Sequence, residues 1–334
     1  MTQNTSVLLA KRPVGNPKPS DFSLRRENLP TLSEGQALLK NHFISLDAGF
    51  RNWLDESAGD DVLPAMALGE PVMGLVMGEV IETRHAGYQV GDWLMARIAW
   101  QEYSVADDSQ FIVKIDPDEP YPMNYYLGVL GDTGLSAYFG MLDIGKPKTG
   151  ETVLVSAAAG AVGSIAGQIA QIHGARAVGI VGSDEKAERV VAELGYAGAV
   201  NHRGDVSAQL AALCPNGVDV YFDNVGGPIL EVVLDHLAVG ARIALCGAVA
   251  TYGNPGSGPG NLFQLVTKEA LMRGFFAHTQ VDRYPEARSQ LAQWIDTDKL
   301  NAPEYMLSGI ESVGPAFSDL FAGRNFGKTI VKLG

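Results

Sequence analysis

ETVLVSAAAGAVGSIAGQIAQIHGARAVGIVGSDEK, residues 151–186, is the stretch whose reading decides the fold. Val153, Leu154 and Val155 form a short apolar run rich in β-branched side chains, and the chain then turns through Ala157 to Gly163 into residues with helical spacing. A second apolar run, Ala177 to Val181, follows that helix. Strand, tight turn, helix and strand at these distances make one βαβ crossover, whose two strands must be parallel. Gly160 lets the backbone approach a ligand where a Cβ would block it, and Gly163 lets the helix pack closely on the strand. Free backbone N–H groups and the positive end of the macrodipole meet at the helix start. Gly160, Ala161, Val162 and Gly163 therefore form a turn suited to the pyrophosphate of a dinucleotide. The first glycine of G-x-G-x-x-G is absent, and the pattern begun at Ala157 reads A-x-x-G-x-x-G.

The end of the second strand decides which dinucleotide. An NAD site places Asp or Glu there to bind the ribose 2′-hydroxyl; this chain has Gly182-Ser183. A small residue and a hydroxyl leave room for a 2′-phosphate, and Lys186, one turn into the next helix, supplies the opposing charge. NADP(H) is the expected cofactor. The plainer reading makes Lys186 a solvated helix residue, partly offset by Asp184 and Glu185, and Ser183 only an N-cap.

Outward from this unit, 334 residues are enough for two domains, and 46% hydrophobic residues give each a core. The net charge of −13 argues against nucleic acid or an anionic membrane as partner while leaving a local anion site possible. No apolar run reaches the length of a membrane span, and the beginning of the chain lacks a basic segment followed by a long apolar core, so a cytoplasmic protein is expected. Cys214 and Cys246 are too few for a disulfide framework or a four-thiolate zinc site, and the six histidines have no H-x-x-x-H spacing. No metal is expected.

From Ser6 to about Pro120 the chain reads as short strands between turns, among them Gln36–Lys40, Gly74–Glu82 and Trp93–Ala99. Asp116-Pro117-Asp118-Glu119-Pro120 marks a boundary, and Tyr121 to Leu142 reads as helical with Gly134 as an interruption. After Lys186, helix and strand keep alternating: strands at Ala199-Val200, Val218–Asp223 and Arg242–Cys246, then a helix near Leu262–Ala270, a strand near Met272–Ala277 and a helix Arg283–Asp298. Alternation of this kind predicts an α/β fold, a doubly wound parallel Rossmann sheet. The Gly-, Pro- and Ser-rich linker Thr251–Gly260 reads as a mobile loop. Short strands are expected in the last thirty residues, rejoining the β-rich part. The expected division is residues 1–122 with 311–334, and 123–310.

Several stretches together carry a family resemblance: Ser45-Leu46-Asp47, Trp100-Gln101-Glu102-Tyr103, GLSAYFG at 134–140, AAAGAVGS at 157–164, GSDEK at 182–186, YFDNVGG at 221–227, CGAVATY at 246–252 and Asn325-Phe326-Gly327-Lys328. The chain resembles the zinc-free medium-chain dehydrogenase/reductases, within them the leukotriene B4 dehydrogenase, prostaglandin reductase and alkenal double-bond reductase group. The resemblance implies a GroES-like β-domain beside the Rossmann domain, NADPH as cofactor and a homodimer. By position it implies cofactor contacts at Gly160 to Gly163 and Lys186. His202 stands where the family usually has a tyrosine near the 2′-phosphate; a surface loop histidine is the alternative. Asn224, Cys246, Gly247, Ala248 and Tyr252, the segment Phe275-Phe276-Ala277, and Asn325 match positions lining the adenine, ribose and nicotinamide. Asn325 is otherwise a turn residue before a strand.

The activity implied is reduction of the carbon–carbon double bond of an α,β-unsaturated carbonyl compound. Hydride goes to the β-carbon, negative charge collects on the carbonyl oxygen and the α-carbon takes a proton, so donors aimed at that oxygen lower the barrier. Tyr252 is the expected protein donor, with a core tyrosine as the alternative. Two departures stand out. Gly49 replaces the family's pocket tyrosine, and Asp132-Thr133 replaces Met-Pro; Asp132 also suits a helix cap. An NADPH quinone reductase or a non-catalytic NADPH-binding protein would share these cofactor residues, and a substrate screen separates them.

Overall fold

The computed structural model describes residues 3–59, 63–253, 256 and 258–334. In it the chain divides into two units, Met1–Leu127 with Tyr305–Arg324 and Thr329–Gly334, and Gly128–Glu304 with Asn325–Lys328. The alternating runs of the first unit fold as β1 (Gln3–Leu9), β2 (Phe22–Asn28), β3 (Ala37–Leu46), β4 (Met73–Thr83), β5 (Trp93–Ala99), β6 (Tyr103–Ala106) and β7 (Ile112–Ile115). β1 and β2 form an antiparallel pair. β3, β4, β5 and β7 lie side by side, also antiparallel, and β6 pairs with β3. Trp100, fully buried, packs edge-on to Phe317 at 5.2 Å and tilted to Phe22 at 6.2 Å. Gly74 is required beside it, because a Cβ there would lie 2.0 Å from the indole Nε1. This is a β-rich GroES-like domain.

The second unit follows the βα alternation read from the sequence. Its elements are α1 (Asp132–Phe139), β8 (Thr152–Ser156), α2 (Ala161–Ile172), β9 (Arg176–Val181), α3 (Asp184–Leu194), β10 (Gly198–Asn201), α4 (Val206–Leu213), β11 (Val218–Asp223), α5 (Gly227–Leu234), β12 (Leu237–Leu245), α6 (Phe263–Thr267), β13 (Leu271–Gly274) and α7 (Tyr284–Asp296). Among the described residues six parallel strands run in the order β10-β9-β8-β11-β12-β13. Numbered along the chain, that is 3-2-1-4-5-6, a doubly wound Rossmann sheet. The order reverses between β8 and β11, so the crevice for a ligand opens at their carboxyl ends, Ser156 and Asp223. Leu154, Val178, Ile180, Val200, Tyr221 and Ile243 fill the sheet's core, and each such side chain contributes about 1.5–3 kcal/mol by leaving water.

The remaining elements are β14 (Glu304–Ser308), α8 (Val313–Phe321) and β15 (Lys328–Lys332). β14 and β15 extend the first unit's sheet beyond β3.

Five local expectations change. Tyr121 to Leu142 is not one helix: a 3₁₀ turn at Met123–Tyr126 precedes α1, and a π-helical turn at Gly140–Gly145 follows it. Gly134 lies inside α1 instead of interrupting it, since a Cβ there would sit 1.7 Å from the carbonyl oxygen of Val129. The last thirty residues contain α8, whose Val313, Ala316 and Phe317 give a buried face at helical spacing. Residues 325–328 fall inside the range expected for the β-rich domain, yet belong with the parallel-sheet unit, because the N–H of Gly327 donates to Ala159 O at 2.8 Å. Finally, β13 ends at Gly274, leaving Phe275, Phe276 and Ala277 beyond the sheet. Of the Thr251–Gly260 linker, residues 254, 255 and 257 lie outside the described residues.

Candidate cofactor and active site

Three clusters form at the carboxyl edge of the parallel sheet. The first is the glycine turn. Ala157 adopts φ +49°, and the N–H of Gly160 closes the turn on Ala157 O at 2.8 Å. A Cβ at Gly163 would lie 2.2 Å from that same oxygen, so only glycine lets α2 begin so close to the strand. No side chain caps α2, and the first N–H groups of a helix have no acceptor within it. Ala161 and Val162, at the first helical positions, are partly exposed. These donors fit a pyrophosphate. The segment Asn325–Gly327 runs beside the turn, with Gly327 bridged to Gly160 in parallel. The Asn325 side-chain amide donates to Gly327 O at 3.0 Å and thereby shapes the segment.

The second cluster lies at the end of β9. Ser183 is the N-cap of α3, and its Oγ accepts from Lys186 N at 3.2 Å. The N–H of His202 donates to Val181 O at 3.0 Å, and its ring stands beside Gly182, where a Cβ would lie 3.2 Å from Nε2. Ser183, Lys186 and His202 are thus brought together from two loops. Lys186 is half-buried and has no ion pair among the described residues. Burial, then the charge of Arg189, lowers its ammonium pKa from the ordinary lysine value, while Glu185 works the other way. A half-buried cation without an ion pair of its own suits an incoming anion.

The third cluster is organised by Asp223 at the end of β11. Its Oδ1 accepts from the hydroxyls of Ser156 (2.9 Å) and Tyr221 (2.8 Å) and from the backbone N–H groups of Val225 (2.9 Å) and Gly226 (3.0 Å). Its backbone oxygen accepts from the N–H groups of Cys246 and Gly247 at 2.8 and 3.1 Å. Asn224 donates from its backbone N–H to Ser156 Oγ at 2.8 Å and from its side chain to Ser156 O at 2.7 Å. The segment from Cys246 to Tyr252 is folded onto this turn. Burial raises the Cys246 thiol, with Asp132 and Asp223 adding to the effect, so the sulfur stays protonated and is no nucleophile.

Tyr252 OH accepts from Ala248 N at 3.1 Å, which leaves its own proton to donate. Burial raises the phenol pKa; the Ala248 bond opposes that, and Cys246 and Asp223 add to it. The hydroxyl therefore remains a neutral donor. Beyond β13, Phe275 packs edge-on to Phe222 at 6.3 Å and fills the space over Gly140; Phe276 is exposed and Ala277 buried. Asp132 is the first residue of α1, whose N-cap is Gly131 with no side-chain cap, so the capping role does not arise.

The sequence reading named Asn224 but passed over Asp223 and Ser156. A carboxylate ending an apolar strand and followed by Asn-Val-Gly-Gly was the available signal, since such a group has only backbone and hydroxyl donors to accept from.

Comparison with known proteins agrees with this architecture. Residues 5–114 match the family model described as the N-terminal domain of oxidoreductase, and residues 161–295 the one described as zinc-binding dehydrogenase. The chain is 41% identical to the Bacillus subtilis (strain 168) protein YfmJ over 98% of its own length and 97% of that protein's. It is 36% identical to the 2-alkenal reductase (NADP(+)-dependent) of Nicotiana tabacum, over 98% and 97%. The crystal structure of CurA from Vibrio vulnificus in complex with NADPH superposes with a TM-score of 0.90 at 36% identity, covering 99% of each chain. The chain belongs to the zinc-free group of medium-chain dehydrogenase/reductases and is an oxidoreductase. One matched description mentions zinc, but among the described residues no three His, Cys, Asp or Glu side chains come together as a metal site.

Proposed function

We propose that this chain reduces the carbon–carbon double bond of α,β-unsaturated carbonyl compounds, enals and enones, with Tyr252 as the donor to the carbonyl oxygen. Its cofactor is NADP(H), which when bound supplies a hydride to the substrate β-carbon. The relative from Nicotiana tabacum carries 2-alkenal reductase in its name, and CurA was solved with NADPH. One observation carries the reading beyond that likeness: Ala248 N donates to the Tyr252 oxygen, so the phenol proton is directed elsewhere. A donor to the carbonyl oxygen gains strength as negative charge develops there, and that differential binding lowers the barrier.

In this proposal Gly160 to Gly163 hold the pyrophosphate, and Ser183, Lys186 and His202 the 2′-phosphate. Asn224, the 246–248 segment, Phe275 to Ala277 and Asn325 shape the rest of the cofactor site. Gly128–Glu304 with Asn325–Lys328 form the cofactor domain of this proposal, and Met1–Leu127 with Tyr305–Arg324 and Thr329–Gly334 the substrate domain. A Cβ at Gly49 would meet nothing within 4 Å, so the position leaves open space in the β-rich unit.

The same proposal includes a homodimer in the cytoplasm. Leu262, Phe263, Val266 and Leu271 expose apolar surface on α6 and on β13 at the sheet edge, a surface that a second copy would cover; sedimentation as monomer alone at working concentration would remove the dimer. Two free cysteines suit a reducing compartment. No helix of the described residues is long and apolar enough to cross a membrane.

The test is NADPH oxidation with enals, enones, nitroalkenes and quinones, run on the wild type and on Tyr252→Phe. Enal and enone turnover is expected in the wild type, with kcat down about 100-fold in the variant, the size of a lost oxyanion donor. Turnover of quinones alone would overturn the reaction, and an unchanged kcat would remove Tyr252 from it.

A further inference from the structure

The charges of α3 are sorted by depth. Its four carboxylates, Asp184, Glu185, Glu188 and Glu193, are exposed, whereas its two cations, Lys186 and Arg189, are half-buried and one turn apart. The two like charges repel one another; Glu193 already offsets that of Arg189, whereas Lys186 has no ion pair among the described residues and feels Glu185 only through space, so a further anion beside the two would still be drawn in. Arg189 is fixed in this position. Its guanidinium stacks over the ring of Phe326 with 3.7 Å from Cζ to the ring centre, and Phe326 itself is buried. Glu193 takes Nε at 2.6 Å and Nη2 at 3.1 Å, leaving Nη1 outside that fork. A stacked guanidinium keeps its in-plane N–H groups available to an oxygen ligand. Phe326 belongs to the segment whose next residue, Gly327, is bonded to the glycine turn at Ala159 O. Arg189 thus spans from the helix that begins with Ser183 and Lys186 to the segment beside the pyrophosphate turn, all within the parallel-sheet unit.

We propose that Arg189, held flat against Phe326, is the second cation of the 2′-phosphate site and, paired with Lys186, determines the preference for NADP(H) over NAD(H). The inference rests on the cofactor assignment above. A 2′-phosphate dianion supplies the ion pair that Lys186 lacks and an acceptor for the Arg189 Nη1 left outside the Glu193 fork, whereas a 2′-hydroxyl supplies no charge to either. Phe326 is a positioning residue: it acts on the cofactor only through Arg189.

Dissociation constants of NADP+ and NAD+, measured at low and at high salt for the wild type, Arg189→Gln, Arg189→Lys and Phe326→Leu, test the proposal. Arg189→Gln is expected to lower the NADP+ over NAD+ preference about fivefold, the effect of one partly exposed ion pair. The difference should shrink at high salt, because exposed charges are screened. Arg189→Lys should restore part of the preference by returning the charge, and Phe326→Leu should lose part of it with the charge intact. A role confined to stability would weaken both nucleotides equally with no salt dependence, and that result overturns the proposal, as does a preference unchanged in Arg189→Gln. A wild type with no preference for NADP+ would instead defeat the cofactor assignment itself.

Discussion

The two ends of the cofactor site are built on opposite principles. Around Asp223 the donors of the turn are met within the protein: Oδ1 collects two hydroxyls and two amides and the backbone oxygen two more amides, while the buried Oδ2 has no hydrogen-bond partner. At Lys186 the ammonium is half-buried and makes no ion pair among the described residues, with Glu185 acting on it only through space. A hub whose one oxygen takes four bonds fixes the turn before anything binds, which is what Tyr252 would need in its proposed role as donor, because a preorganised dipole costs no rearrangement during the reaction. An unmet charge draws its stabilisation from the ligand and so discriminates between ligands. In the proposed site, rigidity belongs to the reacting end and selectivity to the phosphate end.

The largest effect expected from breaking this contrast is at Asp223. Asp223→Ala orphans four buried or partly buried donors, and at about 1–3 kcal/mol for each unsatisfied donor the loss should reach about 3 kcal/mol or more in urea unfolding. Asp223→Asn keeps one acceptor oxygen and should lose less. A cost under about 1 kcal/mol for the alanine variant would mean that the turn is not held by this hub.

Lys186→Ala addresses the other end. It should leave the unfolding midpoint nearly where it is, and lower the NADPH over NADH preference about 10- to 100-fold, as for a lost hydrogen bond to a charged group. Equal loss for both nucleotides would sink the phosphate assignment. The pH dependence sharpens the point. Because burial lowers the Lys186 pKa, the ammonium loses its proton at a lower pH than an exposed lysine. NADPH affinity should therefore fall as the pH rises through that lowered value, NADH affinity should not follow, and the difference should vanish in Lys186→Ala.

Sequence made the scaffold legible wherever the information is local. The β8 turn, α2 and β9 are encoded by period and by glycines whose absent Cβ atoms the structure accounts for, and Ser183 with Lys186 follow at a fixed distance along the chain. Contacts between distant segments were not legible. Asp223 gathers donors from β8, β11 and its own turn, and Arg189 meets Phe326 from the far end of the chain; neither has a signature in residue spacing. Helix α8 was missed because Gly314 and Pro315 obscure a face that packing against Phe22 stabilises, with Phe317 at 6.0 Å. Gly134 misled for a related reason, since glycine in a helix reads as a break unless the neighbouring carbonyl is known.

The claim on which the account turns is that hydride arrives at carbon β to a carbonyl. Incubating the enzyme with NADPH deuterated at the transferable position and a simple enone, then locating the label in the product by NMR, measures this directly. The account predicts a saturated ketone labelled on the β-carbon, with the α-hydrogen drawn from solvent. Label on the former carbonyl carbon of an allylic alcohol would contradict it.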